Sequence, residues 1–310
     1  MADAAKPMMG DRIALGVGMI IVSTMCTATQ DATFKFASSG MTIWQIFAIR
    51  SVFLIPILLI IAVLWGRSRG IWAAALSIWP VTRAIMFILM YVSMFSVIPF
   101  LNLAVVAAGL YTGPLWVALF SPLLMRERVS LLECIAICFG FCGILLNLRP
   151  GTDAFTWAAL MPVLAGAFYA LSAVITRSKC RSTEPLALSL ALAVALLIMG
   201  LLCSLALLMM QPPAELVSKS AFLFGQWSGM GAAEWVVIGV LTTVLAINSV
   251  VLPIAYQSAK TVIVATFDYM YLVWSPLIGF AVFSEVPDTY TIIAMFMIAG
   301  AGLLILRAGK

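Results

Sequence analysis

Residues 112–151 read TGPLWVALFSPLLMRERVSLLECIAICFGFCGILLNLRPG, and residues 271–309 read YLVWSPLIGFAVFSEVPDTYTIIAMFMIAGAGLLILRAG. Each stretch holds an apolar run, a Glu at a tight turn (Glu127, Glu285), a second apolar run with closely spaced glycines (Gly140 and Gly143; Gly300 and Gly302), and a final Leu-Arg pair. A shift of 158 positions carries Glu127 onto Glu285 and Arg149 onto Arg307. The chain therefore reads as two related halves, 1–150 and 151–310.

The surroundings of these stretches set the solvent. Of 310 residues, 64% are hydrophobic and 9% are charged, against roughly 25% charged in a soluble domain. About 20 apolar residues cross the hydrocarbon layer as a helix. Ten apolar runs are long enough to be read as crossings: 13–35, 41–65, 78–98, 100–123, 131–147, 155–176, 185–210, 233–258, 260–281 and 289–307. The short alternating runs of an outer-membrane barrel are absent, so the expected class is an all-α integral membrane protein. The first run, with Asp31 and Lys35 near its end and no small-residue cleavage site, reads as a retained helix rather than a signal peptide.

Charge fixes the orientation. With the N-terminus placed in the cytoplasm, thirteen Lys and Arg fall on the cytoplasmic side, Lys35, Arg149 and Lys219 on the outer side, and Arg50 inside a helix. By the positive-inside rule both termini are cytoplasmic, in the cell membrane, the inner membrane of a bacterium. The Glu127 hairpin then turns inside and the Glu285 hairpin outside, so the two five-helix halves insert with opposite orientation. Inverted repeats of this kind build alternating-access carriers with a site near the midplane.

The motifs "DATFK" (31–35), "RSVFLIPILL" (50–59), "SPLLMRERVSLLECIAICFGFCGILLNLRPG" (121–151) and "FDYMYLVWSPLIGFAVFSEVPD" (267–288) resemble the drug/metabolite transporter superfamily, in its ten-helix branch with paired EamA-type repeats. That resemblance implies a secondary transporter of a small organic metabolite, amino-acid-, vitamin- or nucleoside-like, with export slightly favoured. Uptake of a vitamin or cofactor such as riboflavin or S-adenosylmethionine is the alternative, and a passive channel or facilitator the second. No cofactor is expected, and the lipid bilayer and a small-molecule substrate, with a coupled proton or an exchange substrate, are the expected partners.

Single residues supply the site. Asp268 stands in the apolar run VATFDYMYLVWSP (264–276), about 12 Å into its helix. An ionisable group at such depth costs roughly 2.5–3.5 kcal/mol on insertion scales, so it reads as a proton carrier, a partner for a substrate amine, or a structural carboxylate bonded across helices. Under the shift of 158 its counterpart is Leu110, so the charge belongs to one half alone. Tyr271, Trp274 and Ser275 share its face or lie close to it, and suit a planar ligand or an interfacial anchor. Asn102 and Tyr111 in the fourth run, and Tyr169 and Ser172 in the sixth, are further polar positions that line a cavity or bond neighbouring helices. Asp31 and Lys35, at i and i+4, read as an intrahelical ion pair, and Arg50 as a third member of a gating cluster in the outer half.

Several classes are excluded. With no His in the chain and no Cys-x-x-Cys pair among six Cys, a metal site is not expected. There is no phosphate-binding GxxxxGK[ST] loop, which argues against an ATP-driven pump, and the scattered carboxylates offer an embedded enzyme no nucleophile and base.

Overall fold

The computed structural model describes residues 13–113, 115–116, 119–120, 131–149, 156–180, 183–258, 267 and 269–308. Among them every regular element is helical: α1 Ile13–Ala37, α2 Ile43–Leu64, α3 Ile71–Ala75, α4 Ile78–Phe95, α5 Leu103–Leu110, α6 Leu131–Leu148, α7 Leu160–Lys179, α8 Pro185–Met210, α9 Ala214–Lys219, α10 Ala221–Phe224, α11 Ala232–Ser258, α12 Tyr271–Phe283 and α13 Thr289–Ala308. A single 3-10 turn, Trp157–Ala159, leads into α7. Five helical spans, Ile43–Leu64, Ile78–Phe95, Trp157–Thr176, Pro185–Met210 and Ala232–Leu252, are long and apolar enough to cross a membrane, and shorter apolar helices accompany them. All backbone polar groups of a helix are bonded within the segment, which is why hydrocarbon selects this element.

Eight of the ten apolar runs are helices at nearly the expected bounds; the runs at 100–123 and 260–281 are not continuous. In the first, α5 stops at Leu110 and a turn follows at Tyr111–Thr112. In the second, a turn at Tyr269–Met270 precedes α12. Tyr111 and Tyr269, one at each turn, are equivalent under the shift of 158. Uniform hydrophobicity hides such breaks, because apolar side chains suit the bilayer in either conformation. The connections also hold three short helices, α3, α9 and α10, that the apolar runs do not include.

The helices pack as α1 with α11 and α12, α2 with α8 and α11, α4 with α7 and α8, α5 with α7 and α12, and α6 with α13. Small residues let several of these backbones approach. A Cβ on Gly143 would lie 3.0 Å from Met297 Cβ of α13. One on Gly200 of α8 would sit 2.7 Å from both Ala48 N and Trp44 O of α2. The connection between α8 and α11 is held over the start of α2: Trp44 Nε1 donates to Leu223 O at 2.8 Å, and Gln45 Nε2 to Ser228 O at 2.9 Å.

Gly200→Ala is expected to lower stability by about 1–3 kcal/mol, since the new methyl meets backbone that cannot rotate away. Gly239→Ala, with no heavy atom within 4 Å of the added carbon, removes a helix-interior glycine and is expected to raise stability by about 0.5–1 kcal/mol. Thermal unfolding of the two purified variants checks the opposite signs.

Candidate functional site

The site grows from α1, whose polar side chains are sorted into rows one turn apart. Ser23 Oγ donates to Asn248 Oδ1 at 2.5 Å, and Asn248 Nδ2 reaches Thr27 Oγ1 at 3.4 Å, so this row fixes α11. Gln30 and Phe34 face α2 and α4. Asp31 and Lys35 face α12 and the turn that follows it.

Asp31 is buried and accepts a hydrogen bond from the Tyr271 hydroxyl. Tyr271, also buried, stacks its ring on Tyr111 with centroids 4.7 Å apart and planes 12° off parallel, and Tyr111 lies 5.9 Å from Tyr269. The two helix breaks therefore meet ring to ring. Trp274 joins the same cluster, and its buried indole N–H has no hydrogen-bond partner among the described residues. Ser275 is buried too, its hydroxyl donating to Leu103 O at 3.0 Å.

Lys35 does not pair with Asp31. One turn further along α1 it forms an ion pair with Glu285 and also donates to Leu101 O. The physical reason is competition: Asp31 already has a hydroxyl donor, while Glu285 lies at the same end of the bundle as the ammonium. The other oxygen of Glu285 accepts from Leu103 N at 2.8 Å, which caps the first turn of α5. A second ion pair, Arg149 with Asp288, joins the end of α6 to the same turn.

Arg50 is not part of a cluster with Asp31 and Lys35 either. It lies fully buried beside Gln30, with the rings of Phe34, Phe47 and Tyr91 around its guanidinium at 5.4, 5.7 and 5.9 Å. Phe34 in turn stacks on Phe95 at 3.8 Å. Three charged groups expected together thus have three separate environments, two of them one turn apart on α1 and one on α2.

The remaining positions divide. Asn102 is exposed at the start of α5, where the capping acceptor is Glu285 and not its own side chain. Tyr169 is partly exposed and meets Phe87 edge to face at 6.1 Å. Ser172 and Thr176 hydroxyls donate to backbone carbonyls one turn back, and Thr176 Oγ1 accepts from Arg83 Nε at 2.7 Å. That stripe faces α4 rather than the tyrosine cluster. Asp268 lies outside the described residues.

Sequence reasoning passed over Gln30, Tyr91 and the phenylalanines around Arg50, and saw Glu285 only as a repeat marker. A usable signal existed for Glu285: Lys35 is a cation near the end of an apolar helix, and the charge pattern assigns the Glu285 turn to the same side.

Residues 14–149 match the model of the EamA-like transporter family. The likeness to the EamA-like transporters is carried by that stretch. It takes in α1 to α6, and so Asp31, Lys35, Arg50 and Tyr111. Over 290 residues the chain is 26% identical to a riboflavin transporter of Rhizobium johnstonii, covering 93% of this chain and 88% of that one. It is 25% identical over 196 residues to a riboflavin transporter of Brucella anthropi, covering 63% and 64% of the two chains. A solved crystal structure, 16% identical, superposes with a TM-score of 0.60 over 96% of this chain and 98% of its own, a likeness of fold alone. The protein is a multi-pass membrane protein of the transporter class.

Tyr271→Phe removes the donor and leaves a buried carboxyl without its partner, which is expected to cost about 1–3 kcal/mol. The double change Asp31→Leu with Tyr271→Phe removes both groups and is expected to recover part of that loss. A double-mutant cycle in thermal unfolding measures the coupling.

Proposed function

We propose that this membrane transporter carries riboflavin or a similarly planar heteroaromatic metabolite by alternating access, through a site at the meeting of its two broken helices. The observation that carries the reading is the contact of Tyr111 with Tyr269 and Tyr271 at matching interruptions of the two halves. Short or interrupted membrane helices in corresponding positions are where carriers of inverted-repeat design hold their substrate. The packing supports the repeat: exchanging α1, α2, α4, α5 and α6 for α7, α8, α11, α12 and α13 carries the packed pairs named for the overall fold onto one another. Aromatic faces with polar edges suit a flat, partly polar ring, and Trp274 adds a donor that the described residues leave unused. The riboflavin transporters among the relatives agree in substrate type with that chemistry.

The Lys35–Glu285 pair is the outer closure in this reading, because it ties α1 to the start of α5 and to the turn after α12. Asp268 is proposed as the coupling carboxylate from its place one residue before Tyr269.

Proteoliposomes preloaded with riboflavin are expected to accelerate entry of labelled riboflavin. Counterflow of this kind distinguishes a carrier from a channel, and inside-out against right-side-out vesicles read the direction. Trp274→Ala and Tyr111→Ala are expected to lower the rate about tenfold or more, the loss of one aromatic contact of roughly 1–3 kcal/mol. Absence of counterflow with riboflavin and with other flat heteroaromatic compounds sinks the reading. In the same assay Asp268→Asn is expected to abolish the pH dependence of transport; an unchanged pH profile makes the carboxylate structural.

A further inference from the structure

Arg50 is 0% exposed, and its donors are unevenly used. Nη1 reaches Gln30 Oε1 at 3.5 Å, the outer limit of a hydrogen bond. Nε and Nη2 have no acceptor among the described residues. The surrounding rings attract the positive charge but do not supply the in-plane acceptors that N–H groups need. Asp31, the neighbouring carboxylate on α1, is engaged by Tyr271 instead.

The two vacant donors are not scattered. Nε–H and Nη2–H lie on the same edge of the planar guanidinium and point the same way, forming the fork that grips two adjacent acceptors. Nη1, on the other side, is the group that Gln30 meets. A whole fork thus has no protein acceptor among the described residues, in a buried, aromatic-walled setting where unsatisfied donors are most costly.

We propose that Arg50 is a specificity-determining residue of the carrier, its Nε–H and Nη2–H fork receiving two adjacent acceptors on the edge of a planar heteroaromatic substrate. This rests on the reading of the protein as a carrier of flavin-like compounds. In riboflavin the acceptor pair is ring N1 with the neighbouring O2 carbonyl, and the Phe34, Phe47 and Tyr91 rings that flank the guanidinium suit the flat body of the same molecule. The fork is closed from solvent here, so the substrate meets it after α1 and α4, which carry Phe34 and Tyr91, move apart.

The test is binding to the purified full-length protein, read by displacement of riboflavin, with two analogues. 1-Deazariboflavin replaces N1 by C–H, whereas 5-deazariboflavin changes the opposite part of the ring system and keeps N1 and O2. With the wild-type protein, 5-deazariboflavin is expected within about twofold of riboflavin and 1-deazariboflavin roughly tenfold or more weaker, the size of one lost charge-assisted hydrogen bond. In Arg50→Gln the gap between the analogues is expected to close. Equal binding of the two analogues to the wild-type protein overturns the role of Arg50 and leaves the flavin reading standing. Binding of none of the three compounds overturns both. The wild-type comparison needs no variant, so poor folding of Arg50→Gln does not blunt it.

Discussion

Inside the bilayer a polar side chain has no water to fall back on, and for α1 that constraint decides its neighbours. Ser23 and Thr27 need Asn248, Asp31 needs the Tyr271 hydroxyl, and Lys35 needs Glu285. These residues stand four apart on one stripe that turns by about 40° per step, so α1 is oriented about its axis as well as placed. The helices it touches inherit that order. α12 is pinned at its first residue by Asp31 and, just past its end, by Lys35.

α5 and α12 are joined at both ends as a result. At one end Glu285, beyond α12, caps α5 at Leu103; at the other, Tyr271 of α12 stacks on Tyr111 beyond α5. Between them Ser275 donates to Leu103 O. The polar connections lie toward the ion-paired end and the aromatic ones toward the breaks.

The helices were legible because hydrocarbon thickness imposes a length that hydropathy reads directly, and the bounds of α2, α8 and α11 follow from the sequence almost residue for residue. The breaks at Tyr111 and Tyr269 were not, since an interrupted apolar run looks like an intact one. Tyr111, Tyr271 and Trp274 stood out in the sequence, as aromatic residues with polar edges do against Leu and Val, and the structure brings them into one cluster. Partners across helices were not legible: spacing favours Asp31 with Lys35, and only the arrival of Tyr271 and Glu285 from the distant second half redirects both. The cage around Arg50 was invisible for the same reason, being assembled from three helices out of residues that look like ordinary core. A buried cation with apolar neighbours is nonetheless a signal, and its strength was underweighted against the local pattern.

The burial of Arg50 bears on how the protein is made. α2 leaves the ribosome before α4, and an Arg within a membrane helix opposes insertion, by about 2.5–3.5 kcal/mol at the centre and less toward the ends. The span Ile43–Leu64 is apolar enough, with a mean hydropathy of 2.7, to carry it in. Its guanidinium then waits for rings, Phe34 already at hand on α1 and Tyr91 still to be synthesised on α4. Until α4 arrives, the charge has incomplete shelter and draws headgroups or water toward it. Biogenesis thus has a vulnerable interval, bounded by about forty residues of synthesis from Arg50 to Tyr91. A membrane chaperone or a slow stretch of translation there would have the most to protect.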